Sequence, residues 1–263
     1  MSIFLNYPAL TALVLLLFLG AAMYASLEGG RRAGRRRLNR DPQGSRAGWG
    51  TVEGSLYGLF GLMLAFTFAG AAGRYQTRAE HVFDEAKVVR TAWRQLELLP
   101  EPARSRLRDR VRQHVSEHLK AYAEATSIPK FLEDMDRMKA LEDDIWSEAV
   151  AYGRQSEVAP VAGAIRGSLI DLFETRAART AAIQKHPPFI IYGMLISLGL
   201  VCAFMIGFGM AEAKTRSWLH IGGFLGITTS TMYIILDLEF PRVGLIRVDA
   251  ADETLRMLLR TLQ

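Results

Sequence analysis

His114 and His118 stand four residues apart with Glu117 between them. On a helix that spacing puts both imidazoles on one face, where a pair of ring nitrogens can hold a metal ion. No third ligand stands nearby, and a solvated helix face is the expected setting. Arg104, Arg106, Arg108, Arg110 and Arg112 resemble a run but fan around a helix at this spacing, so they read as solvated charges. His220 falls near the start of an apolar stretch, where an interfacial position suits it. The chain carries no zinc-protease helix signature, phosphate loop, serine elbow or dinucleotide fingerprint. Its long apolar stretches also lack the paired acids that an intramembrane enzyme would show. No enzymatic activity, cofactor or metal is expected.

The densest charged constellation is "DLEFPRVGLIRVD", Asp237 to Asp249. A second lies in "GRYQTRAEHVFDEAKVVR", from Gly73 to Arg90. Each follows an apolar stretch long enough to cross a bilayer, the fourth and the second of the chain, so both emerge on the same side whichever way the protein sits. Arg74, Arg78 and Arg90 are then expected to meet Asp237 and Glu239, while Arg242 and Arg247 meet Glu80, Asp84 or Glu85. Charges half-removed from water at a membrane surface favour pairing. Such a collar either fixes the neighbouring helices or forms a charged vestibule that concentrates ions at a pore mouth.

The elements that position these groups follow from how charge is distributed. Half of the 263 residues are hydrophobic and 22% are charged. Those values coexist because the two kinds are segregated. Met1–Leu27, Gly54–Gly73, Pro187–Ala211 and Ser217–Leu236 contain no Lys, Arg, Asp or Glu. About 20 helical residues cross a ~30 Å hydrocarbon layer, and backbone amides in lipid must pair within their own helix. Four transmembrane helices are therefore predicted. Small residues at helix-contact spacing, Gly54 and Gly58, then Gly199, Ala203 and Gly207, then Gly222, Gly226 and Ser230, offer close helix approach.

Orientation comes from the arginines. Arg31, Arg32, Arg35, Arg36, Arg37, Arg40 and Arg46 fall between the first two spans, and Lys214 and Arg216 between the last two. Short basic loops stay in the cytoplasm, so residues 28–53 are expected as a basic cytoplasmic loop, with Trp49 and Trp218 at the interface. Arginines beside a span set topology and do not indicate nucleic-acid binding; they can also attract anionic headgroups. The first apolar run has no basic residue ahead of it, which suits an amino-terminus-out anchor better than a cleaved signal, although "AMYAS" faintly resembles a cleavage site. The lone Cys202 excludes a disulfide within one chain.

Residues 74–186 hold 19 Lys+Arg and 18 Asp+Glu, near neutrality. Val82, Ala86, Val89, Trp93 and Leu96 recur at helical spacing, so the second span is expected to run on as one helix to Pro100 and Pro102. Leu107, Val111, Val115, Leu119 and Tyr122 mark a second helix, ended by a break at Ser127–Pro129. Phe131, Met135, Met138, Leu141 and Ile145 mark a third. A loop near Gly153–Pro160 leads to a fourth, with Val161, Ile165, Leu169, Leu172, Phe173 and Arg176 on its stripe. The fold class is thus an all-α integral membrane protein: four transmembrane helices, with an extramembrane helical bundle inserted between the second and third and placed outside the cytoplasm. The segment 237–263 reads as a membrane-proximal tail.

"EGSLYGLFGLMLAFTFAGAAGRYQTRAEHVFDEAKVVRTAWRQL" and "DLEFPRVGLIRV" resemble the bacterial bestrophin-like domain family, over most of Glu53 to Gln263. The resemblance implies a multi-pass protein of the bacterial inner membrane and kinship with bestrophins, pentameric anion channels lined by their second span. It further implies a homo-oligomer in the lipid bilayer, with Ser55, Phe60, Met63, Phe66 and Thr67 as pore-lining candidates. The other reading of the same chain is a non-conducting, membrane-anchored interaction or sensing module.

Overall fold

The computed structural model describes residues 8–40, 49–123, 128–155, 158–213, 215–239, 245–246 and 249–262. The sequence expectations for Arg46, Ser127, Lys214, Arg242 and Arg247, and for the side chains of Trp49 and Phe131, lie outside the described residues. Eight α-helices follow in order: α1 (Pro8–Arg40), α2 (Trp49–Gln95), α3 (Ala103–Ala123), α4 (Ile128–Gly153), α5 (Ala159–Gln184), α6 (Phe189–Gly209), α7 (Trp218–Glu239) and α8 (Asp249–Thr261). Among the described residues there is no strand. α1, α2, α6 and α7 are long and apolar enough to cross a membrane.

Two compact units share the chain. The first holds residues 6–75 and 186–246, the second residues 76–185 and 247–263. α2 contributes its first part to one and its remainder to the other. Its 47 residues measure about 70 Å at 1.5 Å each, more than twice a hydrocarbon layer. As the uninterrupted periodicity predicts, it ends only beyond Gln95, in the 3-10 turn Leu96–Leu98 ahead of Pro100.

In the first unit, α1 and α6 touch backbone to backbone. A Cβ on Gly30 would lie 1.9 Å from the Phe204 carbonyl oxygen, and one on Gly207 would lie 1.8 Å from the Leu27 oxygen. Further along, a Cβ on Gly34 would come within 2.7 Å of the Phe208 oxygen. Ser26 Oγ donates to the Leu200 carbonyl at 2.7 Å. Only glycine permits this approach, which replaces hydrophobic driving force with close van der Waals packing. The stripe Gly199, Ala203, Gly207 is buried as its spacing suggests. Gly54, Gly58, Gly222 and Gly226 have no atom within 4 Å of a Cβ position, so those stripes face outward.

The basic segment corrects the expected loop. Residues 28–40 continue α1 as helix to Arg40. Arginine is a good helix former, and the glycines that resembled breakers are where α6 docks.

The second unit is built on one apolar cluster that includes Val82, Val89, Leu96, Leu107, Val111, Ile145, Leu169 and Leu172. Burying each such side chain contributes about 1.5–3 kcal/mol. Leu255, Leu258 and Leu262 belong to the same cluster. The segment 237–263, read from sequence as a tail, therefore supplies an amphipathic helix, α8, to this core.

Candidate functional site

The two units each hold a buried ionic cluster. In the first, Glu239 at the end of α7 is fully buried. Arg74 on α2 grips it in bidentate fashion, its Nε 3.0 and 2.9 Å from the two carboxylate oxygens and its Nη2 2.9 Å from Oε2. His186 Nδ1 approaches Oε1 at 3.1 Å. One turn earlier, buried Asp237 accepts the backbone N–H groups of Leu245 and Ile246 through Oδ2, at 3.1 and 2.9 Å. The "DLEFPRVGLIRV" stretch thus uses its first acid to fasten its own return and its second to fasten α7 to α2. A doubly bridged, desolvated guanidinium–carboxylate pair fixes geometry more strongly than an exposed one.

The remaining expected collar members lie elsewhere. Arg78 donates to the carbonyls of Ala182 and Lys185 at 3.2 and 3.1 Å, satisfying the open end of α5. Asp84 pairs with Lys87 at 2.8 Å on an exposed face. Arg90 is exposed. Glu85 points into the second unit. The pairing drawn from sequence is present for Arg74 with Glu239. It is redirected for Arg78, Asp84 and Glu85, because helix periodicity turns those positions toward other neighbours.

In the second unit, Glu85 of α2 binds His118 Nδ1 of α3 at 2.6 Å and Arg179 Nη1 of α5 at 2.6 Å. Arg179 also donates to Asp252 of α8 and lies 4.6 Å over the Tyr122 ring. A parallel cluster joins His114 Nε2 to Glu142 of α4 at 2.9 Å, and Arg176 Nη2 to the same carboxylate at 3.1 Å. Both histidines are fully buried, which corrects the solvated-face reading. Their apolar neighbours Val111 and Val115 stand three residues before them on α3, so both imidazoles follow the stripe inward.

A carboxylate only accepts. The imidazole protons therefore sit on His118 Nδ1 and His114 Nε2. His118 Nε2 and His114 Nδ1 are left as lone pairs without a hydrogen-bond partner among the described residues. Burial, with Arg179 and His114 adding to it, pushes the His118 pKa down despite Glu85 beside it. Burial would raise Glu142, but hydrogen bonds from His114 and Arg176 outweigh it and hold the carboxyl below the ordinary range. Among the described residues no three His, Cys, Asp or Glu side chains gather as metal ligands. The cluster can take up a proton and can tie α2, α3, α5 and α8 into one body.

The pore-lining candidates divide. Phe60 and Thr67 are buried, Thr67 donating its hydroxyl to the Met63 carbonyl at 2.7 Å. Phe60 and Met63 belong to the cluster with Leu195, Met232 and Ile235. These side chains face α6 and α7 of their own subunit, so Phe60 and Thr67 are removed from the candidate lining. Ser55 and Phe66 face outward on one stripe with Val52, Leu59 and Leu62. Their spacing of three and four is the heptad pattern of a helix presented to another surface. The sequence reading missed Leu59 and Leu62. The period was available to it, but every position of α2 there is apolar, so nothing in the composition separated the inner face from the outer.

An all-helical chain with four helices fit to cross a membrane and a charged helical unit defines a class of membrane protein. The family model for the Bestrophin-like domain matches residues 31–252, and the chain belongs to that family. No curated protein and no solved structure matches it.

Proposed function

We propose that this protein is an oligomeric ion channel of the bacterial inner membrane, without enzymatic activity, in which outward faces of α2 from several copies surround an ion path. The observation that carries this reading is the α2 stripe Val52, Ser55, Leu59, Leu62 and Phe66, exposed in the single chain and set at heptad spacing. Family membership supports it, because bestrophins line their anion path with the second span. The Arg74–Glu239 clamp holds α2 against α7 at the end of the stripe, which keeps the lining helix in one register. The arginines of α1 place residues 28–40 in the cytoplasm and the charged unit outside it.

Thiol accessibility tests the lining. In a Cys202→Ser background, cysteines at Leu62 and Phe66 of the reconstituted protein should react with a charged, water-soluble thiol reagent and alter conductance, whereas one at Phe60 should do neither. Modification at Phe60 alone would remove the proposed lining. A scaffold without a pore would leave all three positions silent in the current.

A further inference from the structure

The arginine-bearing end of α1 has a geometry that topology signalling does not require. α1 carries six arginines from Arg31 to Arg40 against one acid, Glu28. Its inner face is occupied, with Gly30 and Gly34 pressed on α6 and Arg31 buried with Nη2 3.3 Å from the Ala213 carbonyl oxygen. Arg32, Arg35 and Arg36 are exposed on the other side, at the three- and four-residue spacing that places them together. Arg32 is only loosely balanced, 3.6 Å from Glu28 and 73% exposed.

Their height is fixed by the helix beside them. Gly30 lies at Phe204 and Gly34 at Phe208 and Ala211. Ala211 is the last residue of the uncharged run of α6, ahead of Glu212. Three guanidiniums are thus held abreast of the final apolar turn, within about 8 Å along the axis, the depth of a headgroup layer. Arg216 joins the same end of the unit, its Nη2 3.3 Å from Glu28 and its guanidinium 5.5 Å over the Trp218 ring. Guanidinium groups bind phosphate oxygens in bidentate fashion and stay charged at any physiological pH.

We propose that Arg32, Arg35 and Arg36 form a docking face for the phosphates of anionic phospholipids in the cytoplasmic leaflet. The proposal rests on the chain spanning the membrane as read above and is independent of whether it conducts. A face that only set topology would act during insertion and would leave the surrounding lipid composition unchanged afterwards.

The test is the lipid retained by the full-length protein after gentle extraction from mixed phosphatidylglycerol and phosphatidylcholine vesicles, quantified by mass spectrometry. The expected result is at least about fivefold enrichment of phosphatidylglycerol over the bulk, the effect of one basic side chain at a charged surface. R32Q/R35Q/R36Q should bring it to parity, and R90Q/R94Q/R106Q, which removes as much exposed charge from the other unit, should leave it intact. If the first variant inserts poorly, a salt titration of the wild type decides, since enrichment at exposed arginines must fall as ionic strength rises. Absence of enrichment, enrichment that survives the triple substitution, or competition by free glycerol phosphate at equal phosphate concentration would each overturn the proposal. None of these outcomes bears on current through a pore.

Discussion

Replacing Glu85 by Gln perturbs the second unit at its most enclosed ionic point. Glu85 offers one oxygen to His118 and the other to Arg179, both at 2.6 Å, and its side chain is wholly shielded from water. Glutamine has the same size but one acceptor, so one of the two donors must face its NH2 group. Loss of hydrogen bonding alone would cost about 1–3 kcal/mol. The larger effect is that Arg179 keeps only Asp252 as a counter-charge in a desolvated place, and breaking a buried pair costs about 3–5 kcal/mol. At about 3 °C per kcal/mol for a domain of this size, the melting temperature should fall by about 10 °C. Thermal unfolding in detergent, followed by tryptophan fluorescence, measures it. Arg179→Met should cost a similar amount, and the double variant should be less destabilised than the sum of the two by more than about 1 kcal/mol. A fall of under 2 °C for Glu85→Gln, or strict additivity, would refute the account of a coupled network.

Acid should destabilise the same unit. His118 has a pKa depressed in the folded protein, so its contribution is present above the ordinary histidine pKa of about 6.5 and is lost as pH falls. Glu142 is also depressed, and its contribution disappears further down, below the ordinary carboxylate range. Melting temperature is expected to be flat from pH 8 to 7 and to decline toward pH 5; a constant value across that window would contradict the assignment. Gly207→Leu should separate α1 from α6 and lower melting sharply, because its first side-chain atom would overlap the Leu27 carbonyl; Gly223→Ala, where no atom lies within 4 Å, should change melting by less than about 1 °C. Arg74→Ala should strip Glu239 of its bidentate partner and cost about 3 kcal/mol, read as earlier unfolding of the purified protein. Deleting residues 249–263 should expose the core at Leu255, Leu258 and Leu262, visible as faster proteolysis between residues 76 and 185.

The broad architecture was legible in the chain, and the reasons lie in particular residues. Four stretches without Lys, Arg, Asp or Glu mark four helices fit to cross a membrane, and the periodicity from Val82 to Leu96 extends α2 well past its apolar part. What periodicity cannot reveal is which face is already taken. Gly54 with Gly58 and Gly199 with Gly207 have the same spacing, yet only the second pair meets another helix. Arg74 finds Glu239 because both follow apolar spans that end on one side. Glu85 was drawn to the same place, but its turn of the helix points to His118 and Arg179, a neighbourhood that forms only when α3 and α5 assemble around α2. The burial of His114 and His118 had a signal, three residues beyond Val111 and Val115, which their polarity outweighed. α8 had one too, in the three- and four-residue spacing of Leu255, Leu258 and Leu262.

The channel reading is tested most directly by current. Purified protein should be reconstituted into planar bilayers, with insertion verified by protease accessibility, and recorded under an anion gradient. The account expects discrete conductance from an assembly of several copies, altered by thiol modification of cysteines at Leu62 or Phe66. A correctly inserted protein that is monomeric and passes no current at any voltage or gradient would contradict it.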